Sequence, residues 1–286
     1  MNTQFWLTQA FNGISYGALL FLVGSGLSLI FGVMRIFNLS HGSYFLLGGY
    51  VALSVIWTTG SWLLAIPVAA LTIALVGVAM ERVFLRPLGF DPLRQVLLTV
   101  GFAFLFQQAA LDIWTGNNFD INPPDALTKS IVVGGLYLPL YRIFMIATAL
   151  IIGVVLWLAM EKTRMGAAVR ATVDDAQMAR GVGIDTSRIS MLIFALGAFL
   201  AALGGVIGGA FLGIYPGLDF EMLPIAFAVV IIGGMGSLGG AAIGALIVGL
   251  ADNFGKALFP EISYFTLYAP MALILAVKPT GLFGRE

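Results

Sequence analysis

The stretch that decides the fold of this chain is Phe5–Phe31, FWLTQAFNGISYGALLFLVGSGLSLIF. It runs for 27 residues without an acidic or basic side chain. A helix needs about 20 predominantly apolar residues to cross the hydrocarbon core of a bilayer. The stretch is also too long for the apolar part of a cleaved signal peptide. We therefore expect it to be the first permanent membrane span.

The composition of the whole chain leads to the same class. Of its 286 residues, 60% are hydrophobic and only 10% are charged, whereas a soluble domain usually carries about 25% charged residues. A surface this apolar requires lipid as its solvent. We predict an all-α integral membrane protein, a polytopic helical bundle in which residues 1–286 form one transmembrane domain.

Hydropathy divides the chain into nine candidate spans. They are Phe5–Phe31, His41–Trp57, Trp62–Glu81, Gln95–Trp114, Tyr141–Met160, Ile189–Leu212, Leu223–Met235, Leu238–Leu258 and Phe265–Val277. The segments that start at His41, Leu223 and Phe265 are short for a complete crossing. We expect about eight to nine transmembrane segments, with room for one re-entrant or broken helix where protein or a water-filled cavity surrounds it.

The basic residues predict the orientation. If the N-terminus is outside and all nine segments cross, eleven of the fourteen basic residues lie on the inner side. Those eleven are Arg35, Arg82, Arg86, Arg94, Lys162, Arg164, Arg170, Arg180, Arg188, Lys278 and Arg285. The outer side keeps Lys129, Arg142 and Lys256. Because inner loops of membrane proteins are enriched in Lys and Arg, we predict an outer N-terminus and a cytoplasmic C-terminus.

Two hydrophilic stretches connect the spans. Residues 115–140 contain several Asn, Asp and Pro residues and predict an outer, periplasmic loop. Residues 161–188 form the longest charged segment and predict a cytoplasmic loop. Within it, Gly166–Arg180 lacks Pro and is rich in Ala, so we expect a short helix on the membrane surface. That helix either receives another protein or only joins two spans as a solvated loop.

A polar stretch, FGVMRIFNLSHG at residues 31–42, separates the first two spans. Ser40 is a candidate N-cap for the next helix, and Asn38 is a candidate in another register. His41, the only histidine, could bind a substrate or relay a proton. The more ordinary role for a lone histidine here is a helix cap or a hydrogen bond between helices.

A glycine-rich stretch, IIGGMGSLGGAAIG, occupies residues 231–244. Gly236, Gly240 and Gly244 are spaced four apart, as small residues are where helices pack backbone to backbone. The pairs Gly204–Gly205 and Gly208–Gly209 have the same spacing. Packing is the default interpretation, and an unwound segment that lines a transport pathway is the alternative.

Several chemistries are excluded. The chain has no cysteine and one histidine, which rules out thiolate chemistry and histidine-cluster metal sites. No P-loop sequence occurs, so any ATP hydrolysis must come from another chain. The charged residues Asp112, Asp252 and Lys256 lie near span ends, and we expect no intramembrane proton relay. Gly24-Ser25-Gly26 does not match an intramembrane serine protease, so an enzyme using His41 is disfavoured.

At three motifs the chain resembles the membrane permeases of bacterial ABC importers for branched-chain amino acids. The first runs from Phe31-Gly32-Val33 to Asn38-Leu39-Ser40-His41-Gly42, the second from Gly166 through Arg170-Ala171 to Gly183-Ile184. The third is Gly233-Gly234-Met235-Gly236-Ser237 with Gly239. The resemblance covers nearly the whole chain and is strongest to the shorter of the two paired permeases in such systems.

The resemblance implies a set of partners and no cofactor in this chain. A second homologous permease completes the translocation path, two cytoplasmic ATPases bind ATP and Mg²⁺, and a periplasmic protein delivers substrate. The chain is then a multi-pass protein of the bacterial inner membrane, with no nucleic-acid partner. Family members also carry urea, short amides and aromatic carboxylates, so the cargo stays open. The alternative is a self-contained secondary carrier or channel.

The resemblance also implies two groups of functional residues. The group that couples to the ATPases is Met165, Gly166, Arg170, Ala171, Asp174, Ala179, Gly183 and Ile184. The group that lines or gates the path is Asn38, Ser40, His41, Gly42, Gly233, Gly234, Gly236, Ser237 and Gly240.

Overall fold

The computed structural model describes residues 3–89 and 91–284, which form a helical bundle with one short β-hairpin. The elements are α1 (Thr3–Met34), α2 (His41–Thr59), α3 (Trp62–Ala79), α4 (Pro92–Trp114), β1 (Ser130–Val133), β2 (Leu136–Pro139), α5 (Leu140–Lys162), α6 (Arg164–Asp174), α7 (Ala176–Gly181), α8 (Thr186–Leu212), α9 (Leu218–Gly233), α10 (Leu238–Leu258) and α11 (Ser263–Val277). A π-helical turn, Met80–Leu85, and a 3₁₀ turn, Arg86–Leu88, extend α3. Arg285, counted above among the inner basic residues, lies outside the described residues.

Six of the described helices are long and apolar enough to cross a bilayer. They are α1, α3 with its extension to Leu88, α4, α5, α8 and α10. Helix α9 has 16 residues and α11 has 15, so both are short for a crossing. The predicted polytopic helical membrane protein is confirmed, while the number of complete crossings stays a prediction.

Helices α1 and α8 form the centre of the bundle. In each, 72% of the most apolar 18-residue stretch is buried, against 17% in α4 and α5. Leu19, Leu20 and Leu22 of α1 expose no surface at all. Because α4 and α5 are apolar yet mostly uncovered, their outer faces belong against lipid or another membrane subunit.

Glycine lets the central helices approach closely. A Cβ added at Gly249 of α10 would lie 2.5 Å from the carbonyl oxygen of Gly13 on α1. On α8, Gly205 faces the backbone of Phe45, and Gly208 lies under the Phe45 ring. The predicted packing role of the glycine pairs on α8 is therefore confirmed.

Helices α2 and α9 both begin inside the bundle. The His41 Nε2 atom lies 3.0 Å from the Val23 carbonyl oxygen on α1. At 1.5 Å per residue, Val23 is about 30 Å from Thr3 and about 16 Å from Met34 along α1. The hydroxyl of Ser43 donates a hydrogen bond to Asp219 Oδ2 at 3.1 Å, which places the start of α9 at a similar depth.

Helices α2 and α9 run in opposite directions from this depth. On α2, Phe45 reaches Gly208, which also contacts Leu19, so α2 runs toward the Thr3 end of α1. After α9, Gly236 packs against Gly32 near the Met34 end. Both are uninterrupted short helices with their N-termini in the protein interior, and the expected re-entrant or broken span stays a prediction.

The hydrophilic stretch 115–140 contains regular structure that the sequence analysis did not predict. Strands β1 and β2 pair antiparallel, with Ser130 opposite Pro139. Gly134 and Gly135 have φ of 59° and 83°, which suits a tight two-residue hairpin turn. This small hairpin is an addition to a chain that is otherwise helical, as the predicted all-α class requires. An isolated bridge between Phe119 and Ile214 ties the stretch to the α8–α9 connection.

The charged segment 161–188 contains two short helices, α6 and α7, rather than the single one expected over Gly166–Arg180. The break lies at Asp175, whose backbone is extended at φ −152°. Its carboxylate accepts hydrogen bonds from the backbone N–H groups of Gln177 and Met178, at 2.8 and 2.9 Å. This side chain caps a new helix, α7, and so ends the preceding one.

Candidate functional site

The segment before α2 is buried and held by its own side chains. Asn38 Oδ1 accepts hydrogen bonds from the Ser40 backbone N–H at 3.2 Å and from the Ser40 hydroxyl at 2.7 Å. Ser40 occupies the N-cap position, but its side chain makes no capping hydrogen bond. The predicted capping role of its hydroxyl is therefore wrong, because Asn38 and the Met80 sulfur take that hydroxyl instead.

His41 connects α2 to α1. Its side chain is fully buried, and Nε2 faces the Val23 carbonyl at 3.0 Å. Gly26 leaves the space that the imidazole ring occupies. The ordinary role predicted for this histidine, a hydrogen bond between helices, is confirmed.

The N-termini of α2 and α9 meet at a buried carboxylate. Gly42 packs directly on the backbone carbonyl of Asp219, where any side chain at position 42 would clash. Ser43 donates to one carboxylate oxygen of Asp219, and the other oxygen has no hydrogen-bond partner among residues 3–89 and 91–284. Helix N-termini favour a negative charge, so Asp219 stabilises both starts at once.

The glycine-rich stretch forms the joint between α9 and α10. Gly234 and Gly236 have φ of 100° and 83°, a backbone conformation that favours glycine. Ser237 caps α10 by accepting from the Gly240 N–H at 3.0 Å, and its carbonyl accepts from Ser28 of α1. Gly236 lies in the connection, so the predicted helical face of Gly236, Gly240 and Gly244 is corrected. Only the last two belong to α10.

A chain segment after α11 completes this joint. The backbone N–H of Leu282 donates to the Ile232 carbonyl, and that of Phe283 donates to the Gly233 carbonyl, both at 2.9 Å. These bonds satisfy two carbonyls that the end of α9 leaves unpaired.

Helix α6 is attached to the end of α5. Gly166 is buried against the backbone carbonyls of Ala159 and Met160, where a side chain would not fit. Arg170 hydrogen-bonds the Met160 carbonyl and lies 3.7 Å from Glu161 in an ion pair. These contacts hold the first two turns of α6 against the end of α5.

The remaining coupling candidates divide by exposure. Met165, Asp174 and Gly183 are exposed, whereas Ala171 and Ile184 are half-buried. Ala179 is buried, so its contacts are within this chain.

One pocket brings together members of the predicted coupling group and the predicted path group. It has a volume of about 740 Å³, and Arg170 and Asp174 of α6 line it opposite Gly236 and Ser237 of the α9–α10 joint. The buried residues Asn38–Gly42 are absent from its lining. The pocket thus lies between α6 and the glycine-rich joint, and the start of α2 does not line it.

Comparison with known proteins identifies the family. A family model described as the permease component of branched-chain amino acid transport systems matches residues 9–275. The chain belongs to this family. The resemblance seen in the three motifs is confirmed.

Relatives of this permease match it along its length. The high-affinity branched-chain amino acid transport system permease protein LivH of Escherichia coli K12 is 32% identical, with 100% of this chain and 98% of LivH covered. The corresponding protein BraD of Pseudomonas aeruginosa is 28% identical, with coverages of 98% and 96%. The autoinducer 2 import system permease protein LsrC of Escherichia coli is 28% identical over 66% of this chain and 56% of LsrC.

Two buried acids of the permease were missed from the sequence. Glu81 is 2% exposed and forms an ion pair with Arg86 at 2.9 Å. Asp219 was assigned to a loop between spans. An acidic residue two positions after Gly217 is a helix-start signal, and it could have extended the predicted segment upstream from Leu223.

The exposure of two large apolar residues in the charged segment 161–188 of the permease was also missed. Met178 is 66% exposed and Val182 is 71% exposed. Hydropathy does not distinguish them from the other apolar residues of the chain, because only the fold shows that they point away from it.

Proposed function

We propose that this permease is one membrane subunit of an ATP-driven ABC importer of the bacterial inner membrane. A second homologous permease supplies the other half of the path, and two cytoplasmic ATPases bind ATP and Mg²⁺. A periplasmic binding protein delivers a branched-chain amino acid or a related small solute such as an amide, urea or a carboxylate. Family membership supports this assignment, and the absence of a P-loop sequence is the reason that we assign ATP hydrolysis to separate subunits.

The observation that carries the proposal is the exposed apolar surface of the inner segment. Met178 and Val182 project outward from a stretch that is otherwise rich in charge. Neighbouring apolar side chains that form an exposed patch within a polar surface are typical of a protein interface, and Met178 and Val182 are four residues apart. The opposite side of the segment is anchored, because Val169 and Ile184 pack with Ile189 of α8. A docked ATPase can therefore move the bundle through α6 and α7.

Transmission needs a rigid link and a compliant joint. Gly166 and Arg170 fasten α6 to the end of α5, which makes the link rigid. The joint at Gly233–Ser237 lies across the same pocket, and its glycine backbone lets α9 and α10 move relative to each other. Rigid-body displacement of packed helices is a common switching movement. In this proposal Asn38–Gly42 act on the path by fixing where α2 begins.

The proposal includes a topology. Nine crossing segments with an outer N-terminus place α6, α7 and the C-terminus in the cytoplasm, where the ATPases are. The eleven basic residues on that side support this arrangement.

The first test is affinity purification of the chain from its native membrane in mild detergent, followed by mass spectrometry. We expect a second permease and two P-loop ATPases in near-equal amounts. Recovery of the chain alone or as a homo-oligomer, where other ABC complexes survive, would contradict the proposal. Solute movement by the purified chain in liposomes without ATP would then establish a self-contained carrier.

A further inference from the structure

The first turn of α9 carries two carboxylates in opposite environments. Asp219 is 2% exposed and is held by Ser43. Glu221 is exposed, and its Oε2 accepts a hydrogen bond from the Tyr215 hydroxyl at 2.8 Å. Asp219 is enclosed between the two helix starts, whereas the exposed carboxylate of Glu221 can still contact a ligand.

Glu221 lies deep within the thickness of the bundle. It follows Asp219 by two residues, and the contacts of Asp219 with Ser43 and of His41 with Val23 place this turn well inside α1. Val23 is about 30 Å from one end of α1 and about 16 Å from the other. An exposed carboxylate at this depth cannot face hydrocarbon.

Besides Tyr215, an aromatic pair lies at the same turn of α9, beginning at the residue before Glu221. Phe220 is 39% exposed, and its ring lies 5.5 Å from that of Phe104 on α4, which is 57% exposed. A carboxylate beside uncovered aromatic rings matches a solute that carries an ammonium group and an apolar side chain. Hydrogen bonds between such charged partners are among the strong ones in proteins.

We propose that this face of α9 lines a water-filled path and that Glu221 binds the ammonium group of an amino acid in transit. Tyr215 holds one oxygen of the carboxylate, and the aromatic pair Phe220–Phe104 contacts the apolar side chain. The ligand assignment rests on the proposed importer function, whereas the water-filled surroundings of Glu221 do not depend on it.

The access half of the proposal is tested by cysteine labelling in the assembled complex. The chain has no native cysteine, so each introduced one is unique in it. We expect E221C to react with a water-soluble methanethiosulfonate reagent at least about tenfold faster than L150C, since such reagents attack the hydrated thiolate. Leu150 is a matched control, because it is 65% exposed near the middle of α5 but carries no charge in the native chain.

A positive control is Y137C in the β-hairpin, where Tyr137 is 73% exposed. E221C labelling as slow as that of L150C, with Y137C labelled, would overturn the water-filled path. This measurement needs no transport, so it stands whether or not the importer assignment is correct.

The ligand half is tested by leucine uptake into proteoliposomes that contain the complex. We expect E221Q to lower uptake about tenfold through loss of a charge-assisted hydrogen bond, and E221D to retain most of it. E261Q, in the exposed turn between α10 and α11, is the matched control and should transport normally. Normal uptake by E221Q would overturn the ammonium site. Absence of leucine uptake by the native complex, with E221C still reactive, would instead count against leucine as cargo.

Discussion

At the scale of single residues, the centre of the bundle depends on glycine positions where a side chain has no space. Gly205 of α8 faces the Phe45 carbonyl of α2, and Gly249 of α10 faces Gly13 of α1. Without the Cβ atoms, two backbones come within van der Waals distance and gain dispersion contacts along the crossing. Each such position is a site where one methyl group decides whether two helices fit.

We predict that Gly205→Ala destabilises the protein by about 1–3 kcal/mol, because the added methyl forces α8 away from α2. The measurement is the free energy of unfolding in mild detergent. Gly101→Ala is the control, since nothing lies within 4 Å of a Cβ at that position of α4. It should be neutral or stabilising by up to about 1 kcal/mol. Equal effects of the two substitutions would contradict the close-packing argument.

The contacts of some single residues could be predicted from the sequence, and those of others could not. The contact of His41 with another helix was predicted because His41 is the only histidine and lies at the predicted start of a helix. The burial of Asp219 did not follow, because it depends on Ser43, which is 176 residues away in sequence. A hydropathy analysis assigns a charged residue such as Asp219 to a loop. Only the folded structure shows the hydrogen-bond partner that allows this residue to be buried in a helix.

At the scale of elements, α10 has the predicted bounds, Leu238–Leu258, because lipid imposes the same apolar pattern on sequence and structure. The start of α9 was misplaced by five residues, at Leu223 instead of Leu218. The hairpin β1–β2 was missed because four-residue strands leave too short a pattern to recognise. The split of the inner helix depends on one capping carboxylate, Asp175, in a stretch with otherwise uniform helix propensity.

We predict that Val182→Asp, beside α7, weakens binding of the ATPase subunits at least about tenfold, because it places a charge at the centre of an apolar contact. Co-purification of the ATPases with the tagged permease measures this. Gln177→Asp adds the same charge at another exposed position of α7 and should leave binding unchanged. If both variants retain the ATPases, α7 is not the docking surface.

At the scale of the whole molecule, the bundle has a buried centre and an apolar periphery. Helices α1 and α8 form the centre, and α4 and α5 leave most of their surface uncovered. The hairpin and the pair α6–α7 mark opposite ends, and in the proposed topology these ends face the periplasm and the cytoplasm. In the proposed topology, the short helix α9 sets the sidedness of α10 and α11, because it must reach the cytoplasmic side before α10 can cross back.

We predict that N117C and E261C react with a membrane-impermeant thiol reagent in intact cells, whereas K162C and M235C react only after permeabilisation. All four positions are exposed in the structure. Labelling is read by mass shift on a gel, with the native chain as the cysteine-free background. Labelling of M235C from outside would mean that α9 does not complete its crossing.

The joint at the end of α9 can close only late in the synthesis of the protein. Its two closing hydrogen bonds come from Leu282 and Phe283, about 50 residues downstream of their acceptors. At about 5–20 residues per second, the ribosome needs several seconds to reach them, and α10 and α11 must emerge first. During that interval the two carbonyls have no partner from this chain. The nascent permease therefore passes through a stage at which most of the bundle has been synthesised and the joint is still open.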